Sequence, residues 1–216
     1  MLKTSRDIAT IFILTIFFAV FLKSCVVDAY KIPSASMEHT LLVGDCIVVN
    51  KFIYGAKLPH TISLTSITLP RIAMPALKKI QRGDIIVFEF PPEPGRNLIK
   101  RCIAIAGDTV EIKNKNVFVN EMQFPREHSV TASQFIEGEP SNDIFPHGSN
   151  FNPDFYGPII VPPHSVFVLG DNHDNSFDSR FWGFVPEENV TGMAMMIYYS
   201  SGENGTRWER IGKILR

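Results

Sequence analysis

The sequence has no surplus of charge of either sign. Lys and Arg number 21 against 22 Asp and Glu, a net charge of −1 at pH 7. Binding along a phosphate backbone needs a basic excess, so nucleic acid is excluded as the main partner. Cysteine is scarce. Cys25, Cys46 and Cys102 form an odd set at irregular spacing with no CxxC pair, which argues against both a disulfide framework and a zinc site. Cys46 and Cys102 fall in apolar runs and are expected to be buried thiols, while Cys25 belongs to the N-terminal hydrophobic stretch. Long stretches of helix formers are also few. The chain carries instead 15 Pro, 14 Gly and 17 Phe, a composition of strands and loops.

One long hydrophobic run is present. No charge falls between Ile8 and Leu22. A spanning helix needs about 20 apolar residues. The run reaches that length if Lys23 snorkels to the headgroups and the helix continues to about Val27. A cleaved signal peptide would be followed by A-x-A, but the chain reads VVDAYK. Leu22-Lys23-Ser24-Cys25 loosely resembles a lipid-attachment site, and the lysine fits it poorly. The run is therefore read as one uncleaved N-terminal transmembrane helix. Lys3 and Arg6 precede it while Lys23 and Lys31 follow, so charge alone barely orients it.

The rest is long enough for one domain with a core of its own. The expected division is residues 1–30 as tail and anchor and residues 31–216 as the catalytic domain. Gly44-Asp45, Gly83-Asp84 and Gly107-Asp108 lead into CIVVNKFIY, IIVFEF and TVEI, whereas Gly170-Asp171 follows SVFVL. Gly-Asp supplies turn geometry at strand ends. Thr109–Ile112 and Val117–Asn120 read as a hairpin, and Ser165–Leu169 and Met193–Tyr199 as further strands. The fold class expected is mainly β: an antiparallel sheet with an inserted subdomain. Residues 57–81 and 122–163 lack strong periodicity and read as excursions. The first is apolar enough to rest on a membrane, or to pack as a loop on its own domain.

Three segments carry candidate chemistry. In Pro33-Ser34-Ala35-Ser36-Met37-Glu38, two serines flank a small residue just after the anchor. In Asn97–Asp108, alternation along a strand puts Lys100 on the apolar face of Leu98 and Cys102 and turns Arg101 the other way. Desolvation there disfavours the ammonium form, and a neutral amine near pH 7 is a competent general base. The stretch from Gly170 to Pro186 is dense in polar side chains between apolar strands. It lacks the glycine and glutamate that an EF-hand loop needs at its sixth and twelfth positions. A triad through His173 would need a further serine in range.

Taken in order, these segments resemble the type I signal peptidases of bacteria and organelles. PSASME is similar to the family's Ser-x-Ser-Met box, GDCIVVNKFIYG and RGDIIVF to the strands after it, IKRCIAIAGD to the lysine box, and GDNHDNSFDSRFWGFVP to the C-terminal box. The resemblance runs from the anchor to about Val190. It departs from the usual pattern at His39, a proline in most members, and at His173, commonly arginine. Ala104 and Ala106 replace a common glycine and proline. The resemblance implies a signal-peptidase-type β fold with Ser36 as nucleophile and Lys100 as general base. It implies that Ser176 orients the lysine, that Ser34 and the Ser36 N–H form the oxyanion hole, and that Asp178 and Arg180 are a supporting ion pair. Phe181 and Trp182 are expected in the core. The implied partners are preproteins with small-x-small cleavage sites, membrane lipid and, transiently, the translocation machinery. No metal or organic cofactor is implied. The implied location is the bacterial inner membrane, or an organellar one, with the catalytic domain extracytoplasmic. Three other readings stay open: a self-cleaving repressor-type Ser-Lys peptidase, a specialised processing enzyme of a secretion or conjugation system, and an inactive tethered binding protein.

Overall fold

The structure is a computed structural model and describes residues 7–16, 26–55, 75–125 and 152–215. Helix α1 covers residues 7–16 and exposes Ile8, Ile11, Phe12, Ile13, Leu14 and Ile16. Among the described residues no helix is long and apolar enough to cross a membrane. Most of the remainder of the expected anchor, with Lys23 and Cys25, lies outside the described residues, as does most of the excursion over 57–81. The described end of that excursion packs on its own domain: Ile80 sits against buried apolar residues, and the Leu77 and Lys78 amides donate to the Ile53 carbonyl.

Twelve strands among the described residues form two sheets. The larger contains β1 (Val27–Lys31), β2 (Asp45–Asn50), β11 (Val190–Gly202), β3 (Ile85–Glu89), β4 (Asn97–Ile105), β9 (Ser165–Leu169) and β10 (Val185–Pro186), in that spatial order. The short β12 (Gly205–Thr206) pairs with β11. Every pairing is antiparallel. The smaller sheet contains β7 (Met122–Gln123), β6 (Asn116–Val119), β5 (Thr109–Lys113) and β8 (Phe155–Ile160). It is inserted between β4 and β9. Strand β1 begins at Val27, ahead of the boundary drawn from sequence at residue 31. Both ends of the 122–163 excursion are strand, because β7 and β8 complete the smaller sheet.

Burial follows strand position. In β2 alternate residues are buried, so Ile47 and Val49 enter the core while Cys46, Val48 and Asn50 stay half-buried. The expectation of a buried Cys46 thiol is thus corrected: period-two alternation puts it on the outer face, beside Tyr199 of the neighbouring strand. Cys102, on the interior β4, is buried as expected. β3 and β9 are interior strands covered on both faces, which is why IIVFE and SVFVL are nearly continuous apolar runs. Two apolar layers flank β3 and β4. One holds Met37, Leu41, Ile47, Ile85 and Val87; the other holds Ile86, Phe88, Cys102, Val168 and Trp182. Trp182 packs at 5.4 Å between ring centroids on Phe90, a core position as expected.

Candidate active site

The site forms where three segments distant in sequence meet at the middle of β4. Lys100 pairs with Ile86 of β3, and its side chain is 4% exposed. Its Nζ donates to Ser36 Oγ at 2.6 Å. Burial is the main influence on this amine and brings its pKa down to about 8, against the attraction of Asp178 and Asp171. The sequence expectation of a desolvated lysine on an apolar face is met. The linkage has a definite sign. Between about 8 and the ordinary lysine value of 10.5 the unfolded chain binds a proton that the folded chain does not. Stability contributed by this group therefore rises with pH through that window.

Ser36 lies in a single 3-10 turn, Ala35–Met37, directly after β1. Met37 is fully buried and anchors the turn in the core. Ser34 Oγ stands 3.5 Å from Ser36 Oγ and is exposed, so the two hydroxyls share one opening. The Asn172 amide donates to the Ser36 carbonyl at 3.1 Å, and Asn172 Nδ2 donates to the Ala35 carbonyl and to Glu38. Further along the same segment His39 has a φ of 82°, a left-handed value closed to proline. The departure from the common proline at this place therefore suits the local backbone.

The third segment follows β9. Ser176 is buried and its hydroxyl lies beside Gly170, but no hydrogen bond joins it to Lys100, the lysine it was expected to orient. A Cβ on Gly170 would clash with both Ser176 Oγ and the Ser36 carbonyl oxygen, so only glycine lets the two segments close on each other. Asp178 and Arg180 form a buried, two-pronged ion pair at 2.8 Å and 3.0 Å. Asp178 also caps the short helix α2 (Ser179–Trp182) and accepts from the Gly170 amide. Burial alone would raise the Asp178 carboxyl; the adjacent Arg180 guanidinium and the Gly170 N–H outweigh it and hold it below the usual carboxylate range. Arg180 reaches back to the carbonyls of His173 and Ser176. Burial pulls the His173 imidazole below its ordinary value, helped by Arg180.

A second buried web underlies the site and was not singled out from sequence. Arg101 grips Asp171 through two bonds of 2.8 Å and also donates to Thr40 and to the Gly83 carbonyl. Thr40 Oγ1 donates to Asp171 at 2.5 Å. Thus the residue after Lys100 ties the turn carrying Ser36 to the loop carrying Ser176. The sequence places Asp171 and Asn172 in the C-terminal box and Arg101 on the opposite face of β4, but nothing in it pairs them.

All six expected site residues lie in these three converging segments. Chemically, a hydroxyl in contact with a desolvated amine, beside a second hydroxyl, suits proton abstraction and nucleophilic attack on a carbonyl.

Comparison with known proteins gives a consistent result. Residues 5–199 match the family described as signal peptidase, peptidase S26. A signal peptidase I of Aquifex aeolicus is 34% identical over 237 aligned positions, covering 90% of this chain and 84% of the relative. One from Pseudomonas aeruginosa is 37% identical over 205 positions, covering 86% and 69% respectively. Among solved structures, a signal peptidase I from Enterococcus faecalis aligns with 54% of this chain and 97% of its own, at 27% identity and a TM-score of 0.39.

Proposed function

Because the chain belongs to the signal peptidase family S26, we propose that it is a membrane-bound serine endopeptidase that removes N-terminal signal peptides from exported preproteins by a Ser-Lys dyad. The observation that carries the dyad is the 2.6 Å bond from Lys100 Nζ to Ser36 Oγ in a buried setting. Neutral Lys100 takes the Ser36 proton as Oγ attacks the scissile carbonyl. The Ser34 hydroxyl and the Ser36 N–H receive the developing oxyanion, and one such donor is worth roughly 100- to 1000-fold in rate. Lys100 then returns the proton to the leaving amine. The acyl group stays on Ser36 until Lys100 activates a water to release it. Ser176 orients the lysine, and the Asp178–Arg180 pair holds the loop that carries Ser176.

Residues 1–30 are proposed as tail and single-pass anchor, and residues 31–216 as the extracytoplasmic catalytic domain. Anchorage confines the enzyme to the membrane plane where the scissile bond emerges from the translocation machinery. The substrates are precursors cut after a small-x-small motif, whose small side chains suit shallow pockets beside Ser36. The membrane is the bacterial inner membrane.

The test incubates the detergent-solubilised full chain with a secretory precursor whose signal ends in A-x-A, beside Ser36→Ala. The expected result is one cut after the second small residue by the parent and none by the variant. Cleavage by Ser36→Ala, or no cleavage by a folded parent, overturns the reading.

A further inference from the structure

The smaller sheet contributes none of the groups assigned to the reaction, yet one of its side chains reaches the catalytic loop. The β5–β6 turn has Asn114 and Lys115 at φ of 48° and 65°. Two consecutive left-handed residues make the tight hairpin turn that matches strand twist. The turn is fixed from behind by the Lys115 amide, which donates to the Asp154 carbonyl. Its outcome is that Lys115 Nζ meets both oxygens of Asp174, at 2.9 Å and 3.1 Å. The Asp174 side chain is 4% exposed and that of Lys115 is 30% exposed. A carboxylate so far out of water needs a partner, and among the described residues its one ion pair is with Lys115.

Asp174 is the middle residue of the 3-10 turn His173–Asn175, immediately before Ser176. That turn is held from three sides. Asn172 bonds it to the Ser36 turn, and Arg180 bonds the His173 carbonyl at 2.5 Å. Lys115 supplies the third hold, from the other sheet. We propose that Lys115 is a positioning residue for the reaction: its pair with Asp174 fixes the turn that leads directly into Ser176, beside the segment that carries Ser36. The smaller sheet then acts as a brace for the catalytic loop. This rests on the reading of Ser36, Lys100 and Ser176 given above.

The experiment compares Lys115→Met, Asp174→Asn, the double variant and Lys115→Arg, all as full chain in detergent. It measures kcat and KM on the precursor, and hydrogen exchange at the Asn175 amide, which donates to the Asn172 carbonyl within the turn. Either single variant is expected to lower kcat about tenfold while KM stays within about twofold, the pattern of a misplaced catalytic group. Asn175 exchange should quicken while exchange in β2 and β11 does not. The double variant should be as slow as the singles, and Lys115→Arg should recover most of the rate. A double variant restored to the parent rate would mean that only an uncompensated charge had been removed, and would overturn the proposal. Unchanged kcat with unchanged Asn175 exchange overturns it as well. A parent that cuts no precursor defeats the reading of the site instead, and Asn175 exchange still decides whether Lys115 orders the turn.

Discussion

Two consecutive cations leave opposite faces of β4, and both are buried. Arg101, 1% exposed, is met by a carboxylate, a hydroxyl and a carbonyl. Lys100, 4% exposed, meets a single serine hydroxyl among the described residues. A guanidinium cannot give up its proton, so its burial demands a fixed anion. An ammonium can, and here burial wins over the distant carboxylates and takes the amine down to about 8. The same strand therefore has one face that holds a charge and another that eases the loss of one. The two are coupled, since Asp171 and Thr40 belong to the segments that carry Ser176 and Ser36.

Breaking each face should have a different consequence. Lys100→Met removes the proposed base and is expected to lower kcat/KM by at least about 10⁴-fold, the usual scale for loss of a member of such a constellation. Its stability at pH 7 should be no lower than the parent's, because an apolar chain of similar length replaces a desolvated amine; urea unfolding checks this. Arg101→Met should do the reverse to stability. It leaves Asp171 buried without its partner, and the midpoint should fall by the equivalent of about 3–5 kcal/mol. A Lys100→Met protein less stable than Arg101→Met would erase the distinction between the faces.

A smaller change sharpens the account of how the segments meet. Gly170→Ala adds one methyl group between Ser176 and the Ser36 carbonyl. The expected loss in kcat is about 100-fold, the cost of displacing reacting groups by about 1 Å. No buried charge loses its partner, so the unfolding midpoint should move less than in Arg101→Met. The smallest effect is on the pH profile. With the proposed base titrating near 8, kcat/KM should rise about tenfold from pH 7 to pH 9 as the amine loses its proton.

Much of this was legible from residues alone. The Ser165–Leu169 strand and the turn between β5 and β6 stand where the apolar and turn patterns put them, because interior strands and tight hairpins write strong local signals. β8 was hidden because FYGPII lies in a stretch without strong periodicity, and β1 by its continuity with the hydrophobic run before it. Cys46 was misjudged because an apolar run does not say which of its faces is inward until a partner strand fixes the register. The desolvation of Lys100 could be argued from its face of the strand. The Arg101–Asp171–Thr40 web and the Lys115–Asp174 pair could not, because each joins residues brought together only by the tertiary fold.

The central claim is that burial lowers the Lys100 amine to about 8, so that a neutral fraction is available near neutral pH, and the most direct test titrates that one amine. In Ser36→Ala protein labelled with ¹³C at lysine Cε, the Lys100 resonance is assigned by its absence in Lys100→Arg and followed from pH 6 to pH 11. A midpoint near 8 is the predicted result. A Lys100 midpoint at or above 10.5 would leave the amine charged beside Ser36 and contradict its role as base.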